Sequence, residues 1–160
     1  TDLQVIQLSS HFYKQYDLKR VYYSGYVPML SDSRLPAIGT PVPMVRENRL
    51  YQADWLMRFY GFGAHEIVEQ DSPFLDLDCD PKLAWAIRHR EHFPVNIQTA
   101  TYEMIVRIPG IGTNRAKYFI ATTGKNEHLA HLTRDNFRQY VLAQTQTKYK
   151  DQRSGQLALF

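Results

Sequence analysis

A single cysteine, Cys79, stands among 160 residues, so this chain alone can build neither an internal disulfide framework nor a multi-cysteine metal site. Long apolar runs are also missing. Nothing approaches the roughly 20 consecutive apolar residues of a membrane-spanning helix, and the opening residues do not read as a charged-then-apolar export leader. The expectation is a cytoplasmic protein with no membrane partner. No glycine-rich loop follows a strand to cradle a nucleotide, and no Ser/His/Asp or Cys/His set assembles. Ala64-His65-Glu66 lacks the second histidine of a zinc protease, so no catalytic residue is assigned. Acid is scarce in one half only. Residues 1–80 hold 7 Lys/Arg against 11 Asp/Glu, a net −4, whereas residues 81–160 hold 12 against 5, a net +7. A polyanion, if bound, meets the second half.

What is present begins with a helical pattern. Leu3, Ile6, Phe12, Tyr13 and Tyr16 recur at helical spacing. Lys19–Val27, rich in aromatic and β-branched residues and closed by Pro28, then predicts a strand. A strand without neighbours is unstable. Residues 1–28 therefore read as the end of an α/β domain whose remainder lies elsewhere. Pro28, Pro36, Pro41, Pro43 and Gly39 make residues 29–48 a proline-rich linker. From Arg49 the pattern is helical, with Leu50, Trp55, Leu56 and Phe59 on one broad face and Gly61 and Gly63 as its stop. Ala64–Glu69 predicts a short second helix.

Six acids fall between Glu66 and Asp80, but their spacing lacks the glycine turn and distal Glu of a calcium loop. Asp80-Pro81 reads instead as the cap and first residue of a helix over Pro81–Arg90, burying Leu83, Ala84, Ala86 and Ile87. His89 and His92 have an H-x-x-H spacing without a third ligand in view, and structural histidines are the favoured reading. No metal site is assigned.

Between Thr99 and Ile120 the chain runs TATYEMIVRIPGIGTNRAKYFI. Thr99 can cap a helix carrying Met104, Ile105 and Ile108, and Pro109 stops it. Gly110 and Gly112 permit a turn and leave its backbone bare. Ile111 points inward, and Thr113 or Asn114 starts a second helix that buries Ala116, Phe119 and Ile120. Unpaired N–H groups around Gly110–Gly112, with the positive end of the second helix, make a phosphate-sized anion site. Arg115 and Lys117 add charge there, and Thr113 and Asn114 add hydrogen-bond donors. Such contacts hold nucleic-acid backbone but read no bases. Ile108, Pro109, Gly110, Ile111, Gly112, Ala116 and Phe119/Ile120 resemble the helix-hairpin-helix motif of many DNA repair proteins. Leu132–Ala143 predicts a further amphipathic helix, with Arg134 and Arg138 extending the basic face.

A wider resemblance rests on Arg49–Leu56, Arg58–Phe62, Leu75–Asp78, Asp80–His89 and Phe93–Val95, together with Lys19–Val27. These blocks resemble the C-terminal region of bacterial DNA modification or repair radical S-adenosylmethionine proteins, a family associated with a uracil-DNA-glycosylase-like partner. The resemblance spans residues 1 to about 122. It implies a mainly α fold: a helical bundle with a helix-hairpin-helix module, preceded by a helix–strand remnant of the α/β barrel. The family holds a 4Fe–4S cluster through a CxxxCxxC motif, and S-adenosylmethionine completes the coordination. With Cys79 alone this chain cannot hold that cluster. Cluster and S-adenosylmethionine are expected only in a full-length parent whose barrel portion is a partner or the missing remainder. Helical residues 49–145 would then be the DNA-binding domain and 146–160 a flexible tail. In that tail Gln156, Leu157, Ala158, Leu159 and Phe160 look like the peptide by which bacterial repair proteins dock on the DNA sliding clamp.

Two other readings stand beside DNA-backbone binding. A helix-hairpin-helix glycosylase would need a catalytic Asp, sometimes with a Lys, after the hairpin, and only Lys125 and Asp135 are candidates. A protein-docking platform would use Trp55, Trp85 and the tyrosines, 13% of the chain being aromatic.

Overall fold

A computed structural model describes residues 1–41, 44–93, 95–97 and 99–122. The described residues are mainly helical, as expected for a helical bundle, and contain no strand. The chain divides into two compact units, Thr1–Pro81 and Lys82–Phe160. No helix among them is long and apolar enough to cross a membrane.

In the first unit α1 (Asp2–Tyr16) is started by a capping box between Thr1 and Gln4 and ended by Asp17 in the left-handed region. Leu3 and Ile6 face the core. α2 (Met44–Phe59) begins five residues before the apolar pattern announces it, because Met44 and Val45 lie on the solvent side and break the periodicity. Its buried face is Leu50, Ala53, Asp54 and Leu56. Trp55 and Phe59, expected inside, are 53% and 47% exposed and pack on each other at 4.4 Å between ring centroids. They are four residues apart on the opposite side of the helix.

Asp54 holds the inward place they leave, and three partners make its burial tolerable. Tyr13 and Tyr23 each donate a hydroxyl to its carboxylate, and Arg58 pairs with it at 2.8 Å. After Phe59, Gly61 takes φ +71°, and the amides of Tyr60 and Phe62 both donate to Leu56 O, a glycine-dependent helix stop. The short α3 (Ala64–Ile67) follows. A second buried carboxylate, Asp2, pairs with Arg46 and accepts the Leu75 amide at 2.9 Å, tying α1 to α2 and to the loop after α3.

The strand expected at Lys19–Val27 does not form. Alternate amides along it go to side chains instead of to a neighbouring strand: Val21 to the Tyr13 hydroxyl, Tyr23 to the Tyr51 hydroxyl and Gly25 to the Glu47 carboxylate, at 2.9, 3.1 and 3.1 Å. Tyr51 returns a hydrogen bond to the Tyr23 carbonyl at 3.0 Å. Side chains from α1 and α2 thus satisfy the backbone that the aromatic pattern attributes to a sheet.

α4 (Pro81–Arg88) has Pro81 as its first residue, and the second unit begins with the Lys82 that follows it. It ends two residues earlier than expected, and a 3₁₀ turn, η1 (Arg90–His92), follows. Lys82, Ala84, Trp85 and Ala86 are buried. α5 (Tyr102–Arg107) and α6 (Thr113–Thr122) pack on each other around Ile105, Val106, Ile108, Ile111, Ala116 and Phe119. The cap of α5 is Thr101, whose hydroxyl accepts the Met104 amide, and not Thr99, which lies in a turn closed on Asn96. Ile120 is 42% exposed, because the buried stripe of α6 is centred between positions 116 and 119 and leaves it at the edge.

Candidate nucleic-acid interface

The connection between α5 and α6 is set by its own sequence. Ile108 leaves the helix with φ −67° and ψ 125°, the extended geometry a following proline favours. Pro109 and Gly110 then form the corner of a turn closed by the Ile111 amide on the Ile108 carbonyl at 3.1 Å. Gly110 has φ +82°, which with Pro109 before it is the type II arrangement. Only Gly110 uses the left-handed region; Gly112 is absent from it, so its contribution is the bare backbone. Gly112 O accepts the Ala116 amide at 2.9 Å and so begins α6.

One sequence expectation changes. The Ile111 amide does not point outward for an anion, because the turn itself consumes it. Gly110 is exposed, and the Gly112–Thr113 step is half-exposed. The first-turn amides of a helix have no acceptor within it, and the positive end of its dipole lies beside them. Asn114, Arg115 and Lys117 are exposed on that first turn and a half, whereas Pro109 and Ile111 are buried and act as its anchors.

Lys82 was not legible as part of this arrangement. It is 8% exposed, and its ammonium donates to the carbonyl of Ile111 inside the hairpin. A lysine in the first turn of an apolar helix ordinarily reads as a solvated residue; only the contact reveals that α4 holds the turn through it. Arg107 lies over the Trp85 ring at 5.7 Å and donates to the Glu103 carbonyl, which ties α5 to α4. The Glu103 carboxyl is held below its ordinary range by its own amide, by Thr101 and by Arg107. Glu103 and Glu91 are the only acids between residues 82 and 122, against six Lys/Arg.

At the end of α4, His89 Nδ1 and His92 Nε2 lie 3.3 and 3.7 Å from the same oxygen of Glu91. Glu91 is the neighbour that the H-x-x-H spacing did not bring into view. Its carboxyl is lowered by its own amide and then by the two histidines. Arg134 and Arg138, Lys125 and Asp135, and the tail peptide Gln156–Phe160 all lie outside the described residues. Trp55 is exposed, but Trp85 is buried at 4%.

No family model matches the chain, and neither does any curated protein or solved structure.

Proposed function

We propose that this chain binds nucleic-acid backbone, without reading sequence, through the Ile108–Asn114 hairpin, as the C-terminal part of a radical S-adenosylmethionine DNA modification or repair protein. The observation that carries the reading is the turn itself. A left-handed Gly110 is exposed at the tip, and Ile111 is 1% exposed beneath it. A bare backbone therefore lies at the start of a ten-residue helix flanked by Arg115 and Lys117. A phosphate oxygen can approach such a turn without meeting a Cβ. Contacts of this kind position a protein on DNA or RNA and leave base identity unread.

The parent's chemistry would reside in its barrel, with its 4Fe–4S cluster and S-adenosylmethionine. This chain would deliver that barrel to DNA, in the cytoplasm, alongside a uracil-DNA-glycosylase-like partner. The Gln156–Phe160 tail would engage the sliding clamp. Exposure of Tyr22, Tyr26, Val27, Met29 and Leu30, each more than half open to solvent, supports a covering partner for that segment.

Fluorescence anisotropy with a short duplex of arbitrary sequence, across salt concentrations, tests the binding. The wild type should bind with an affinity that falls steeply with salt, and Gly110→Glu/Gly112→Glu should lose it while keeping its circular dichroism. Equal binding by both proteins would remove the hairpin from the interface.

A second reading has one observation in its favour. The exposed Trp55 and Phe59 on α2, their rings in tilted contact, are a surface that a protein-docking platform would use. Pairing with a protein that is insensitive to salt and abolished by Trp55→Ala would favour it.

A further inference from the structure

We propose that His89, Glu91 and His92 form a binding site for one divalent transition-metal ion of the zinc class. The three side chains each offer one ligand atom, and these atoms all lie within 4.8 Å of one another. An ion held at zinc–nitrogen and zinc–oxygen distances of about 2.0–2.2 Å in tetrahedral geometry spaces its ligands roughly 3.3–3.6 Å apart. The Glu91 oxygen is 3.3 Å from His89 Nδ1 and 3.7 Å from His92 Nε2. Two of the three edges of a coordination face therefore stand at nearly the right length, and the third is at most 4.8 Å.

The rings are also held. Trp85, itself buried, lies against both imidazoles. Its centroid is 4.7 Å from that of His89 and 6.0 Å from that of His92, and the His92 ring is within 3° of parallel to it. Fixing ring planes before the ion arrives lowers the ordering cost of binding. Two imidazoles and one carboxylate suit zinc, copper(II) or nickel(II) better than calcium or magnesium, which prefer all-oxygen sets. With three protein ligands the fourth position falls to water, the open type of site. The ion would cross-link the end of α4 to η1.

The test is calorimetric titration of zinc chloride into this chain after stripping with chelator. The wild type should take up one zinc per chain. His89→Ala/His92→Ala should weaken binding by about 100-fold or more, and Glu91→Gln by about tenfold. Cys79→Ser and His128→Ala/His131→Ala, which remove the sole thiol and the chain's other H-x-x-H pair, should bind like the wild type. Cobalt(II) should give a visible band without thiolate charge transfer. If the double histidine variant fails to fold, the imidazole resonances of the wild type decide. Those of His89 and His92 must move at one equivalent of zinc. Wild-type affinity in the millimolar range, binding unchanged in the double variant, or loss confined to the His128/His131 variant would each overturn the site.

Discussion

Asp54 is 1% exposed and would be untenable as a lone charge, yet it holds an inward position on α2. Tyr13, Tyr23 and Arg58 close on it, with the Arg58 side chain itself only 19% exposed. Removing one member of such a cluster leaves the others unsatisfied, so Asp54→Ala should cost roughly 3–5 kcal/mol. A denaturation midpoint in urea measures that, and a loss below about 1 kcal/mol would show that water reaches the cluster. The same cluster has an alkaline signature. Burial, and then the hydrogen bond to Asp54, push Tyr13 up to about 12, and burial pushes Tyr23 upward as well. Because the folded-state value lies above the unfolded one of about 10, the stability these phenols contribute is complete below pH 10. It falls as pH rises from 10 through the folded value near 12. Phenolate absorbance should show Tyr13 and Tyr23 titrating late, and denaturation should release them.

At the scale of elements, turn chemistry carries much of the fold. Gly61 has φ +71°, and nothing lies within 4 Å of where a Cβ would project, so Gly61→Ala meets backbone strain without a clash. Thermal or chemical melts should show a loss of about 1–2 kcal/mol. Lys82→Met keeps the apolar stem but leaves the Ile111 carbonyl without its ammonium donor. It should cost roughly 1.5–3 kcal/mol and loosen the hairpin, read as faster hydrogen exchange at Ile111 and Gly112. These elements also show where sequence patterns suffice. Pro109-Gly110 and Asp80-Pro81 specify local backbone geometry through φ restrictions, so the hairpin and the start of α4 were legible. Lys19–Val27 was not, because β-branched and aromatic residues signal an extended backbone without saying whether a strand or a side chain will pair with it. Trp55 and Phe59 misled for a related reason: burial of Asp54 depends on Tyr13 and Tyr23, at distant positions in the chain. Lys82 was silent because its buried ammonium is defined by a contact between elements, and Glu91 because residue spacing does not say that its carboxylate turns toward both neighbouring histidines.

Across the whole molecule, the division into two units coincides with the division of charge. Thr1–Pro81 carries a net −4 and Lys82–Phe160 a net +7. Binding of a polyanion should therefore be driven by the second unit and by counterion release. Replacing Lys117 by Gln should weaken binding to all sequences alike and flatten the log–log salt slope by about 0.9, the share of one phosphate contact. A change that depends on DNA sequence would mean that this side chain reads bases. The central claim, that backbone amides of the hairpin receive a phosphate, is most directly tested by titrating an unrelated duplex into isotopically labelled protein and following the amide resonances. The account predicts that Gly110, Gly112, Thr113 and Asn114 shift first and together, while Ile111, whose amide is bonded within the turn, shifts less, and that added salt reverses the change. Shifts centred on Trp55 and Phe59 with a still hairpin, or none at all, would contradict it.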